Sequence, residues 1–167
     1  MNIIYKFKNK PNQKIKPENP ESEISGRPES RFVVHERKAS NRTIYNFAME
    51  MKDEQTGKVV LKTWTVPKNL PFEAETKHLA IQIEDQAVGG SAFEKKVIGD
   101  VAGGQIRIWD QGHWGLLQGK ISEGNFSFNL FGEKIKGRFG MMIADNFPEN
   151  EKKDSKVKHW LIWKKGL

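Results

Sequence analysis

The sequence contains no cysteine. Neither a disulfide framework nor a thiolate-ligated zinc or iron–sulfur centre is therefore open to it, and a reducing compartment suits it. A cytoplasmic location is the expectation. Long apolar runs are missing too: the longest are a few residues, well short of the ~20 that a membrane-spanning helix needs. The opening "MNIIYKFKNK" has no extended apolar core of a secretion signal. A soluble chain with no membrane partner is expected. No long segment repeats its apolar residues at helical spacing, and no internal repeat is visible. With no disulfide or thiolate metal site, stability has to come from a core, and 167 residues are enough for one domain.

What the sequence does have is positive charge. Lys and Arg number 28 against 21 Asp and Glu, a net charge of +7, and the pI is about 9.5. This balance favours polyanionic partners such as nucleic acid or acidic surfaces, although scattered, solvated lysines give the same sum. Residues 1–31 are rich in Lys, Pro, Glu, Asn and Ser and predict an extended or disordered basic arm rather than a packed element. Residues 32–167 predict one β-domain.

From Phe32 onward, short runs alternate with a period of two. In "TIYNFAMEM", Tyr45, Phe47, Met49 and Met51 fall on one face, with Asn46, Ala48 and Glu50 on the other. "DEQTG" turns the chain. "KVVLKTWTV" then returns with Val60, Lys62, Trp64 and Val66 alternating against Val59, Leu61 and Thr63, which is a hairpin. The same pattern runs through "HLAIQIED", "QIRIWD", "GLLQGKI", "NFSFNL", "EKIKGRFGMM" and "KHWLIWKK". The expected fold class is all-β: a small antiparallel barrel of about eight strands behind an irregular N-terminal arm. The long polar loops "PKNLPFEAET" and "NFPENEKKDS" are candidate partner-facing surfaces.

Chemistry-bearing residues are sparse. His35, His78, His113 and His159 are spread along the chain with no metal-ligand spacing between them. "DVAGGQ" has the glycines of a tight turn but not the strand-to-helix setting of a phosphate loop. Glu84 and Asp85 are adjacent on a strand, so they point to opposite faces and make no acid/base dyad. Trp64, Trp109, Trp114, Trp160 and Trp163 read first as core, and second as stacking platforms among Lys62, Arg107 and Lys164.

"RFVVHERKAS…YNFAMEM", "LKTWTVPK", "KHLAIQIED", "AFEKKVIGDVAGGQIRIWDQG", "GNFSFNLFGEKIKGRFGMM" and "WLIWKK" follow the order and nearly the spacing of a known family. From about Phe32 to Lys165 the chain resembles the 3′-phosphoesterase domain of bacterial DNA ligase D and its stand-alone relatives. Lys62, Trp64, Val66, Pro67 and Lys68, with Ile108, Trp109, Asp110 and Gly112, carry the most specific likeness. The resemblance implies a small β-barrel that trims 3′ ends at DNA breaks, using manganese held by histidines and an aspartate.

The ligands implied by the resemblance are replaced. Where the family reads Q-K-H this chain reads "HER", so Arg37 takes the histidine position. Where it reads L-H-Y-D-F, anchoring on Tyr45 and Phe47 puts Ile44 at the histidine and Asn46 at the aspartate, with one extra residue between Ser40 and Tyr45. Ala48 stands at the phosphate-contacting arginine, and Gln86 at the histidine of E-D-H. A guanidinium has no lone pair and repels a divalent cation, Ile44 has no donor atom, and Asn46 and Gln86 offer only neutral oxygens.

The expectation is therefore a phosphoesterase-fold pseudoenzyme without cofactor. It would serve as a nucleic-acid or phosphate-binding module for DNA ends, using Arg37, Arg42, Lys62 and Lys68. One alternative is an active manganese-dependent 3′-end-processing enzyme with a site rebuilt from His35, Asp85 and Gln86. Another is a protein-interaction domain that docks repair partners through its basic arm.

Overall fold

The computed structural model describes residues 30–89, 92–93, 97–101, 104–145 and 157–166; for 97–101 and 104 it describes the backbone alone. Among the described residues nine strands form a single antiparallel sheet. They are β1 (Arg31–Ala39), β2 (Arg42–Lys52), β3 (Val59–Val66), β4 (Lys77–Gln86), β5 (Val97–Val101), β6 (Gly104–Lys120), β7 (Asn125–Phe131), β8 (Lys136–Ile143) and β9 (Lys158–Lys164). A short 3₁₀ turn, Ile121–Glu123, links β6 to β7. No α-helix occurs among the described residues, and so none that is long and apolar enough to cross a membrane.

The order around the sheet is β1-β2-β3-β4-β9-β8-β7-β6, and β6 returns to pair with β1. Eight strands thus close into the expected barrel, and β5 adds a ninth strand beside the first part of β6. Closure removes the free edges of the eight strands. It depends on the length of β6, 17 residues, which pairs with β1 through Gly104–His113 and with β7 through His113–Lys120. Where the two pairings meet, Gly112 is required: a Cβ there would overlap the Phe131 carbonyl.

The alternation read from the sequence sets the two faces of the wall. Phe47 lies opposite Trp64, Tyr45 opposite Val66 and Met49 opposite Lys62. Their side chains point inward, where Phe47 stacks on Phe128 at 6.1 Å and Trp64 meets Trp160 edge-on at 6.0 Å. Trp64, Trp114 and Trp160 are core, as the first reading of the tryptophans expected, whereas Trp109 and Trp163 are only half-buried. Burying side chains of this size contributes about 2–3 kcal/mol each. A second, smaller apolar cluster of Val33, Ala48 and Leu61 sits on the outer wall, covered by Val88, Ala92, Phe93 and Ile108.

Two polar devices hold the ends. Asp110, buried beside β1, accepts hydrogen bonds from the backbone N–H groups of Gln111, Glu133, Lys134 and Ile135 at 2.9–3.1 Å, which fixes the β7–β8 turn. At the other end Lys62 is clamped between Asp53 and Asp85, each at 2.8 Å. The expected N-terminal arm lies outside the described residues except at its last two positions. There Ser30 accepts from the Trp114 N–H at 3.0 Å and Arg31 opens β1.

Candidate functional site

β1, β2 and β3 present alternate side chains to the outer wall, and β4 borders them. Together with the segment after β4 they enclose a cleft of about 650 Å³, lined by His35 and Arg37 (β1), Ile44 and Asn46 (β2), Thr65 (β3), Ile83 and Gln86 (β4), Ala87, Gly89 and Ala92, and Ile106 (β6). The strand period brings these residues together. His35 pairs across the ladder with Asn46, and Arg37 with Ile44, so all four face the same side.

Most polar groups in the cleft already have partners. The His35 Nε2–H donates to the Ala92 carbonyl at 2.9 Å. Burial holds the imidazole below its ordinary pKa, and the Ala92 bond opposes that shift only in part. The ring is therefore neutral at physiological pH. The Thr65 hydroxyl donates to Asn46 Oδ1 at 2.9 Å, which engages the oxygen that would otherwise coordinate a cation. Arg37 is exposed, and no carboxylate among the described residues lines the cleft with it.

The cleft gathers Arg37, Ile44, Asn46 and Gln86 of the residues singled out in the sequence, together with His35. It does not gather the others. Ala48 is buried under Val88, Ala92 and Phe93, and Arg31 stacks its guanidinium 3.9 Å over the Phe93 ring. Arg42 is exposed at the start of β2, and Lys68 is exposed just past β3 at the same end of the barrel.

Lys62 points into the barrel rather than toward the cleft, in a separate hollow of about 680 Å³ that Asp53, Glu84 and Asp85 also line. Hydrogen bonding to Lys62 draws the Asp53 carboxyl down to about 2. Burial works against the Lys62 charge, but its two aspartate partners more than offset this and raise its pKa. With both neighbours anionic, Lys62 is neutralised where it stands, so it is not a free contact for backbone phosphate.

The same separation bears on the rebuilt metal site. His35 and Gln86 share the cleft, whereas Asp85 lines the other hollow and is bound to Lys62. Among the described residues no group of three or more His, Cys, Asp or Glu is placed to hold a metal ion. With one imidazole engaged as a donor, two amides and a guanidinium, the donor set of the described lining residues does not fit manganese, which prefers carboxylate and imidazole ligands.

Sequence reasoning missed Thr65, the Ala92 carbonyl, and a second polar cluster on the inner face of the same strands. There Glu36 accepts from Arg107 Nε at 2.8 Å and from the Tyr45 hydroxyl at 3.1 Å. Burial raises the Glu36 carboxyl, but these bonds outweigh it and hold the group below its ordinary value. Burial, and then Glu36, push the Tyr45 phenol up. A signal was available for two of the three, since Glu36 and Tyr45 share the inward parity of the buried Val34 and Phe47, whereas Arg107 faces inward only through the register shift between β1 and β6.

Fold and cleft together define a small closed β-barrel with a cation-bearing pocket on its outer wall. The model of the DNA ligase D 3′-phosphoesterase domain matches residues 35–143, and the chain belongs to that family. It is 33% identical over 116 residues to the multifunctional non-homologous end joining protein LigD of Pseudomonas aeruginosa, a match covering 67% of this chain and 13% of that protein. It is 33% identical over 114 residues to the protein of the same name from Mycobacterium bovis, 66% of this chain and 14% of the relative. With LigD of Mycolicibacterium smegmatis the identity is 28% over 141 residues, 78% and 16%. The chain thus spans about one seventh of the length of these relatives.

Proposed function

We propose that this chain is a phosphate- and nucleic-acid-binding module of DNA end joining, in which the phosphoesterase cleft holds a guanidinium in place of a metal centre. The observation that carries the reading is Arg37, exposed in a cleft that has no carboxylate among its described lining residues. A divalent ion in such a cleft attracts substrate phosphate. A guanidinium does so directly, through charge-assisted and sometimes bidentate hydrogen bonds worth about 1.5–3 kcal/mol. It supplies charge but no Lewis acidity, so the chain binds without turning over. The relatives are named for non-homologous end joining, which supports DNA ends as the ligand. A cysteine-free, basic chain with that ligand suits the cytoplasm.

Arg42 and Lys68, exposed at one end of the barrel, add contacts to the nucleic-acid backbone without reading sequence. Binding therefore weakens with salt at a log–log slope of about −0.9 per phosphate neutralised on duplex DNA.

The test is binding of a 3′-phosphorylated duplex across a salt series, for wild type and Arg37→Ala. The variant is expected to bind about tenfold more weakly or worse, with a shallower slope; equal affinities and slopes would remove Arg37 from any ligand role. In a parallel assay, manganese should stimulate no release of the 3′-phosphate or of a terminal ribonucleotide. Release that disappears with chelator and with His35→Ala would restore the enzyme reading.

A further inference from the structure

The inner faces of the cleft strands lead to a second surface. At the barrel mouth where β1 ends and β2 begins, Tyr45 meets Trp109 edge-on, with centroids 6.1 Å apart and planes at 79°. Phe72, from the β3–β4 loop, meets the same indole at 6.0 Å and 69°. Phe72 is 56% exposed, and Tyr45 and Trp109 are half-buried, so the three rings form a stepped aromatic surface open to solvent. Nothing in the core requires Phe72 to be aromatic.

Cations surround these rings. Lys134 Nζ lies 5.2 Å from the Trp109 ring centroid and donates to the Trp109 carbonyl at 2.9 Å. Arg107 and Lys38, both more than half exposed, reach the buried carboxylate of Glu36 at 2.8 and 4.0 Å. Arg107 and Lys38 thus share one anion, while Lys134 is bound to a carbonyl beside the indole. Of the two carboxylates that follow Phe72 closely in sequence, Glu75 is held by the Gly166 N–H at 3.0 Å.

We propose that this mouth binds an unpaired nucleobase of single-stranded nucleic acid, stacked on Phe72 and Trp109, with Lys134 and Arg107 meeting the adjoining phosphates. An aromatic step set among cations suits a ligand that alternates flat π-faces with negative charges, and single-strand-binding surfaces combine the same two elements. An apolar protein partner would call for a broader apolar patch than three rings among charges. The site is separate from the cleft, because Glu36, Tyr45 and Arg107 are chain neighbours of Arg37, Ile44 and Ile106 that face the opposite side of the wall. The proposal does not depend on Arg37.

The test uses a single-stranded oligothymidine without terminal phosphates and an abasic strand of the same length, measured by fluorescence anisotropy with the full chain. Phe72→Ala should weaken oligothymidine binding about fivefold or more, the loss of one stacked base, and leave the abasic strand unchanged. Phe72 is exposed, so the variant is expected to fold, and a matching urea midpoint would show it. Lys134→Ala should weaken both strands, and Arg37→Ala should leave the Phe72 effect in place. Equal oligothymidine affinity for wild type and Phe72→Ala would overturn the proposal and point to a protein surface instead. Equal loss on both strands would also overturn it, because it would reduce the site to charge alone.

Discussion

Lys62 and Arg37 are both cations on the strands of one barrel, and their surroundings are opposites. Lys62 lies in its own hollow with Asp53 and Asp85 at 2.8 Å on either side, and its charge serves the fold. Arg37 lies on the outer wall of a cleft without a described carboxylate, and its charge is left for something else. Net charge is therefore a poor guide to where a basic protein meets its partner. The informative cations are those that the fold leaves uncompensated.

The comparison can be sharpened from the side of the tied groups. The largest effect is expected at Asp110. Asp110→Ala strands four buried or half-buried backbone N–H groups and should lower unfolding free energy by about 3 kcal/mol or more in urea titration. Lys62→Met comes next. It keeps most of the aliphatic packing but leaves two carboxylates facing one another, at a loss of about 2 kcal/mol at neutral pH. That loss should shrink by pH 3, where carboxylates in the variant protonate readily.

In wild type the sign follows from Asp53, which hydrogen bonding to Lys62 brings from 3.8 to about 2 in the folded chain. A depressed carboxyl contributes stability that is complete above the unfolded value and lost as pH falls through the folded one. Stability from this clamp should therefore decline between about pH 4 and pH 2. Added salt should weaken it only modestly, because the three side chains are mostly buried. The smallest effect is expected at Arg37, where substitution by Ala should change the unfolding free energy in urea titration by no more than about 0.5 kcal/mol. A large loss of stability there would make Arg37 a structural group like Lys62 and erase the contrast.

Much of the fold was legible because strand alternation is a local signal. Tyr45, Phe47, Met49 and Met51 announced an inward face, and β2 delivers it. The cleft was legible for a related reason: anchoring on Tyr45 and Phe47 put Ile44 and Asn46 on the opposite face, where the structure has them. Lys62 shows the limit. Its inward parity could be read from Trp64 and Val66, but its partners lie 9 and 23 positions away, and nothing local marks them. Asp110 was visible only as part of a motif. Its role in capping a turn 23 to 25 residues further on depends on the bend of β6. The aromatic mouth was half visible, since Trp109 and Arg107 stood out in the sequence while Phe72 joins them only through the path of a loop.

The position of β9 has a consequence for how the chain matures on the ribosome. This strand, formed by Lys158–Lys164, slots between β4 and β8, so the ring has a gap until Lys158–Lys164 leaves the exit tunnel. Before that moment two long edges lie open to any passing strand, which is the state most prone to intermolecular pairing. Nascent chains stalled before Lys158 should therefore be held by chaperones or aggregate, and release should follow within one strand's length of further synthesis.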